Sequence, residues 1–333
     1  MQMLRDQILA LLRAQEGSYC SGEEMSARFG VSRTAVWKAV SSLRLEGYAI
    51  SSAPHRGYRL DSAPDCLDPA AISALLPEGS VMGSRLFCLQ EVDSTNNECK
   101  RLAAGGMPEG TVVLADLQTG GRGRRGRSFL SPAGAGLYLS ALLRPPVPPM
   151  EAVNLTAWVA VAVCNAVEAV CSFRPSIKWP NDILANGKKL CGILTEMGVE
   201  GETGALDHVV IGIGINLRSV MLQMDPTLVD KAISLEDILG TAPRRDTLAA
   251  AVIAQLEQLR LSFPTKKEEY LNAYRQNCVT LGKEVSVLRP GDPPRTGRAL
   301  SVDDQFRLLV NFGSGPQPVD AGEVSVRGLL GYV

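Results

Sequence analysis

The sequence predicts an α+β chain of three parts: an N-terminal winged helix-turn-helix, a central α/β domain on a mixed sheet, and a small C-terminal β-barrel. Three observations carry this. Two capped helical segments around a short turn precede two strand-like runs near the N-terminus; an Ala- and Val-rich helix in the middle is bracketed by apolar, β-branched runs; and from Gly282 short strands alternate with Pro, Gly and Asp. The parts span 1–62, 85–276 and 277–333, with a connector over 63–84.

The 333 residues leave room for two or three domains with substantial cores. Lys and Arg total 34 against 35 Asp and Glu, a net charge of −1, so any basic surface is local and a polycationic nucleic-acid coat is excluded. The longest unbroken apolar run, 157–164, is far short of a bilayer span and reads as buried helix, so no membrane partner is expected. Arg5, Asp6 and Arg13 interrupt the apolar periodicity of the N-terminus, which lacks a signal-peptide pattern. Eight scattered cysteines without a CxxC, and only two histidines, point to reduced, buried thiols in a cytoplasmic protein with no structural metal.

In the first part, Leu4, Ile8, Leu11 and Leu12 share one face of an amphipathic helix. Ser21 with Glu24 fits a capping box for a short helix ending near Gly30, and Ser32 caps another directly after it. Val36, Val40 and Leu43 form the inward stripe of that second helix. Arg33, Thr34, Trp37, Lys38, Ser41 and Arg44 are left for the outer face, where a DNA groove would lie, and Gly47 ends the helix. Residues 48–52 and 58–60 then read as the strands of a wing with Arg56 at its tip, near phosphates or a minor groove. A protein-docking module is the alternative, since residues 1–62 carry only eight Lys/Arg against six Asp/Glu; the shared outward face of Arg33, Lys38 and Arg44 favours DNA.

In the central part, residues 85–91 read as a strand, and Asp93, Ser94, Thr95 and Asn96 open a helix toward Leu102; alone, such residues simply cap helix N–H groups. Residues 111–115 and 137–143 read as buried strands, so 118–132 is a loop held at a sheet. It contains GRGRRGR at 121–127. The match to GxGxxG is rejected as a dinucleotide fingerprint, because arginine fills every variable position and no apolar spacing opens a helix. An RGG-like RNA tether is rejected too, since the cluster occurs once between strands. What remains is an anion clamp: glycines admit a ligand close to the backbone, guanidinium forks hold carboxylate and phosphate oxygens, and mutual repulsion should keep the loop mobile until an anion arrives.

Residues 151–171 read as a helix buried against the sheet. In SIKWPNDILANGKKLCGILTE, 176–196, Asn186 and Gly187 lie between two apolar runs, the signal of a type I′ hairpin. The hairpin brings Lys189 to a strand start close to Gly192, after a rigid polar corner of Trp179, Pro180, Asn181 and Asp182. VVIGIGIN at 209–216 reads as a further buried strand whose Gly212 and Gly214 mark close contact with a ligand. Taken singly, Lys189 would be a solvated hairpin lysine and Asp182 a turn residue.

Ser94-Thr95-Asn96, Gln118 with GRGRRGR, KWPND at 178–182, KLCGIL at 189–194 and GIGIN at 212–216, in this order and spacing, resemble the biotin protein ligases. With the winged helix in front, nearly the whole chain is similar to the bifunctional members of that family, which also repress the biotin operon. The resemblance implies a two-step reaction: biotin and MgATP give biotinyl-5′-adenylate and pyrophosphate, and a lysine of a biotin carboxyl carrier protein then takes the biotin. It also implies roles. Ser94, Thr95, Asn96, Gln118, Arg122, Gly123, Arg124, Lys189 and Gly192 would line the biotin site, with Arg124 and Lys189 as the catalytic pair. Arg124, Arg125, Asn181, Asp182, Asn216 and Arg327 would serve ATP and the adenylate, with Asp182 a candidate contact for the nucleotide's Mg2+. The chemistry agrees, because a carboxylate must approach an α-phosphate, and two unit charges at 4 Å repel by about 4 kcal/mol at an effective dielectric of 20. Phe129 departs from the tryptophan common in the family after the basic loop.

Toward the C-terminus, Asp246 reads as the cap of a helix over 244–261 with Leu248, Val252, Leu256 and Leu259 as its stripe. Residues 285–289, 298–302, 306–312 and 323–327 read as short strands of a small barrel, SH3-like by the resemblance. Adenylate occupancy is expected to order the basic loop, favour a homodimer through the central sheet, and bring two winged helices to paired operator half-sites. A non-enzymatic biotin-sensing regulator is the alternative, against which the pairing of Arg124 with Lys189 counts; a lipoate-handling relative is the weaker rival.

Overall fold

The structure, a computed structural model, describes residues 2–15, 17–45, 47–62, 65–220, 224–289, 291–321 and 325–328. It divides into two units, Met1–Cys66 and Leu67–Val333.

The first unit has helices α1 (Gln2–Ala14), α2 (Gly22–Phe29) and α3 (Arg33–Leu45), then the antiparallel strands β1 (Ala49–Ala53) and β2 (Gly57–Ser62), the winged helix-turn-helix order. Ser21 Oγ accepts from the N–H groups of Glu23 and Glu24, and Gly30 closes α2 at φ 65°. Ser32 Oγ accepts from Ala35 N at 3.2 Å. The Glu24 carboxylate takes the Cys20 thiol instead of completing a capping box. Ile8, Leu12, Met25, Val36, Val40 and Leu43 fill the core of this unit.

The second unit is built on a seven-stranded sheet of β3 (Arg85–Val92), β4 (Thr111–Gln118), β5 (Gly136–Leu143), β6 (Ser176–Lys178), β7 (Asp182–Ala185), β8 (Lys188–Val199) and β9 (Leu206–Asn216), in the order β3-β4-β5-β9-β8-β7-β6. Only β3 and β4 run parallel, and their crossover contains a helix, α5 (Thr95–Ala104), so the sheet is mixed as expected. Asn186 at φ 50° and Gly187 at φ 74° make the predicted tight turn from β7 to β8. Helix α7 (Leu155–Cys171) follows the four-residue α6 (Pro149–Ala152) and packs against the sheet and a helix at Arg245–Ser262. The stretch Pro149–Cys171 is long and apolar enough to cross a membrane, but most of it is buried within the fold, as in a core helix. All eight cysteines are free, six of them buried.

The second half of the expected connector is folded. Asp68 caps α4 (Pro69–Ser73), Ile72 and Met82 are fully buried in the main core, and Met82 N donates to Glu257 Oε2 at 2.8 Å. Arg244, not Asp246, holds the cap position of the Arg245–Ser262 helix; Asp246 lies inside its first turn and accepts from Thr247 N.

The C-terminal part is an antiparallel sheet of β10 (Glu284–Leu288), β11 (Arg295–Val302), β12 (Leu308–Asn311), β13 (Pro316–Val319) and β14 (Ser325–Gly328), ordered β13-β12-β11-β10-β14. β13 was not expected, because prolines read as breakers; both fall on an edge strand, where the missing N–H is tolerated. The C-terminal segments grip the corner before β7. Trp179 N donates to Thr280 Oγ1, ahead of β10, and its indole N–H to the Phe306 carbonyl between β11 and β12, both at 3.0 Å, while Tyr274 Oη, on the final helix Lys267–Asn277, donates to the Pro180 carbonyl at 3.2 Å.

Candidate functional site

One cavity brings together Ser94, Thr95, Asn96, Gln118, Arg122, Gly123, Arg124, Asn181, Lys189 and Gly192, with Phe129, Ile193, Leu194, Gly212, Ile213 and Gly214 completing its lining. Its end wall is the start of α5. Ser94 occupies the cap position with no side-chain capping bond, so its buried hydroxyl serves no helix N–H. Thr95 N and Oγ1 instead donate to Gln118 Oε1 at 2.9 and 3.1 Å, and Gln118 Nε2 donates to Ser131 Oγ at 2.8 Å. Ser131 Oγ in turn donates to the Phe129 carbonyl at 2.9 Å, so one amide ties the helix start to the far arm of the basic loop.

The arginine-rich loop is drawn into a narrow hairpin. Gly123 N donates to the Arg127 carbonyl at 2.7 Å, Phe129 N to the Gly121 carbonyl at 2.9 Å, and the tip passes through Arg125 and Gly126 at φ 60° and 73°. Two of its arginines have partners within the fold. Arg122 donates to Asn97 Oδ1 at 2.9 Å and lies 3.6 Å from Glu196 Oε1. Arg124 donates to Asn181 Oδ1 at 3.0 Å and to the Ala321 carbonyl. Burial draws the Arg124 guanidinium below its ordinary range, against the opposing pull of Asp182. Arg125 is exposed and lines a neighbouring cavity with Thr195, Met197 and Ala321.

From the opposite wall, Lys189 Nζ lies 2.5 Å from Asp182 Oδ1. The hairpin register sets this pair: Asp182 opposes Gly192, and a Cβ at Gly192 would sit 3.1 Å from Lys189 Nζ. Asn216 does not line the cavity. Its Nδ2 donates to the Lys189 and Ile233 carbonyls at 3.1 and 3.2 Å, and its Oδ1 is buried with no hydrogen-bond partner. The backbone of Arg327 pairs with Ser286 in β14, and its side chain lies outside the described residues. Gly212 and Gly214 do line the cavity, but what crowds them is protein. A Cβ at Gly212 would come 2.1 Å from Asn96 Oδ1, and one at Gly214 would come 2.6 Å from the Phe129 ring. Ser131, Ser140 and Glu196 were missed as supporting residues; Ser140 had a signal, being a small polar side chain in a fully buried strand.

In the N-terminal unit, Thr34, Trp37 and Lys38 are exposed on α3 and Ser41 is half-buried. Arg33, also exposed, pairs with Glu23 at 2.6 Å. Arg44 is exposed as well, and its guanidinium donates twice to the Ile50 carbonyl, at 2.9 and 2.7 Å, tying α3 to the wing. Arg56 stacks over Tyr19 at 4.5 Å, beside Arg59 at 4.9 Å.

Residues 86–216 match the Biotin/lipoate A/B protein ligase family, 4–59 an HTH domain, and 280–327 the Biotin protein ligase C terminal domain. The chain is 35% identical to the bifunctional ligase/repressor BirA of Bacillus spizizenii, over 97% of this chain and 98% of that one. The chain belongs to the biotin protein ligase family, in its bifunctional ligase/repressor branch. Within this family it is also 32% identical to the Escherichia coli BirA, over 96% of each chain. Among solved structures of biotin protein ligases, that from Aquifex aeolicus in complex with biotin and ATP aligns with a TM-score of 0.63 at 30% identity, covering 74% of this chain and 99% of that one.

Proposed function

We propose that the chain is a biotin protein ligase that forms biotinyl-5′-adenylate from biotin and ATP, passes the biotin to a lysine of a biotin carboxyl carrier protein, and represses biotin synthesis by binding operator DNA. The observation that carries the ligase reading is the convergence of Lys189, Arg122 and Arg124 on one cavity. There the biotin carboxylate attacks the α-phosphate, a new P–O bond forms and pyrophosphate leaves. Two anions must meet, and the Lys189 ammonium and Arg124 guanidinium offset a repulsion of about 4 kcal/mol. Asn181 Oδ1 holds Arg124 in place for this. In the second step the carrier lysine attacks the acyl carbon and AMP leaves.

No cluster of three His, Cys, Asp or Glu that could cage a metal exists among the described residues. The Asp182 carboxylate, beside Lys189, suits an ion that arrives on the nucleotide and keeps most of its waters. Mg2+ held there would neutralise phosphate charge.

A ligand-dependent homodimer fits the sheet. β7 pairs with β8 only as far as Gly192, so the later part of β8 has a free edge, with Met197 and Val199 exposed along it. Two such edges can pair across a two-fold axis and present two winged helices to a palindromic operator; a cytoplasmic location accords with these partners. Incubation with labelled biotin, MgATP and a carrier domain tests the ligase reading. Label on the carrier lysine with pyrophosphate release is expected, and an unlabelled carrier overturns it.

A further inference from the structure

We infer that Glu196 is a positioning residue that fixes the Asn96 amide and thereby sets which hydrogen-bonding groups the cavity accepts; the inference rests on biotin being the occupant. Glu196 lies on β8 opposite Val210, and its side chain reaches the start of α5. Its Oε1 accepts from Lys100 Nζ at 2.9 Å and its Oε2 from Asn96 Nδ2 at 2.9 Å, with Arg122 3.6 Å away. A carboxylate beside a cavity that must collect anions is otherwise a liability, so its presence needs a reason. Burial pushes its carboxyl up, but Lys100, Asn96 and Arg122 together hold it below the ordinary range and keep it ionised.

An ionised carboxylate only accepts hydrogen bonds, so the Asn96 atom facing it is the NH2 group. The second N–H of that group goes to the Leu194 carbonyl at 3.3 Å, and Ser140 Oγ donates to Oδ1 at 2.6 Å. With both N–H groups spent, Asn96 can offer the cavity only an oxygen lone pair. That end of the pocket therefore favours a ligand carrying N–H donors. The ureido ring of biotin supplies two; the dithiolane of lipoate supplies none.

Glu196→Gln keeps the shape and breaks the symmetry of the carboxylate. The charged Lys100 claims the new amide oxygen, because charge-assisted bonds are the stronger ones, and the new NH2 then faces Asn96. Asn96 must turn over, or stay and clash. With its donors turned toward the ligand's N–H groups, KM for biotin rises about tenfold, equivalent to about 1.4 kcal/mol, while kcat and KM for ATP stay within about threefold. Lys100→Met alone leaves both carboxylate oxygens accepting, and KM for biotin stays within about threefold of wild type. A merely structural ion pair gives the reverse pattern, with both single variants losing thermal stability alike and no change in KM. An unmoved KM for biotin in a folded Glu196→Gln, or a Lys100→Met variant that loses biotin use as severely as Glu196→Gln, overturns the inference. Absence of biotin-dependent pyrophosphate exchange in wild type overturns the ligase reading instead.

Discussion

Lys189→Met separates rate from stability by an amount the geometry fixes. The ammonium lies 2.5 Å from Asp182 and its side chain is 27% exposed, so the pair is half-open to water. Such a pair stabilises the fold by at most about 1 kcal/mol, and its loss lowers Tm by roughly 2–4 °C for a chain of this size. Its contribution to adenylation is larger. A cation about 4 Å from the reacting anions contributes about 4 kcal/mol at an effective dielectric of 20, or close to a thousandfold in rate. Biotin-dependent ATP–pyrophosphate exchange measured beside thermal melts checks both figures. Exchange within tenfold of wild type would refute the charge-neutralisation reasoning. So would recovery in the double variant Asp182→Asn with Lys189→Met, which would reduce Lys189 to a counter-ion of Asp182.

Arg124→Ala removes a guanidinium that Asn181 and the Ala321 carbonyl hold at the cavity; a two-pronged grip on the adenylate phosphate, at ~1.5–3 kcal/mol per charged hydrogen bond, would be lost with it, so adenylate retention should fall at least about a hundredfold. Filter binding of the adenylate beside melts reads this, and wild-type retention would refute it. For the operator, gel shifts with biotin and ATP should show tighter binding than without, and equal affinity removes the proposed coupling. Lys38→Gln should lower the salt slope of operator binding by about one, whereas Arg44→Gln should leave the slope and loosen the N-terminal unit. For pH, burial pushes the Glu257 carboxyl up, yet Arg260 and the Met82 N–H hold it on balance below its ordinary 4.5. A folded value below the unfolded one means its stabilisation is present above pH 4.5 and lost as pH falls through the folded value. Tm should therefore decline between pH 5 and 3, less steeply in Glu257→Gln.

Features set by neighbouring residues could be read directly. Asn186-Gly187 dictates its turn because both residues must take positive φ; Ser21 and Ser32 mark helix starts by accepting from N–H groups a few residues on, and Gly30 marks an end by donating its N–H back to the Ser26 carbonyl. Clustered chemistry was legible too: Arg122, Gly123 and Arg124 of the basic loop meet Asn181 of KWPND on one cavity. What stayed hidden depends on distant partners. Arg44 is chemically suited to a phosphate and only the wing carbonyl at Ile50 claims it. Ile72 and Met82 look like a connector until the helix bearing Glu257 receives them. Glu196 meets Asn96 one hundred residues away, so no local pattern pairs them.

The grip of the C-terminal segments on Trp179 has a practical consequence for anyone shortening the gene. A product ending after the final helix would retain every residue that lines the pocket, yet two donors of one tryptophan would lose Thr280 and the Phe306 carbonyl in a place water reaches poorly. Phe306 holds its carbonyl there from a left-handed backbone at φ 58°, a conformation that costs an aromatic residue about 1–3 kcal/mol. A minimal enzyme, or a chimera with a foreign tail, must carry both acceptors with it, or the loop bearing Asn181 and Asp182 will be slack.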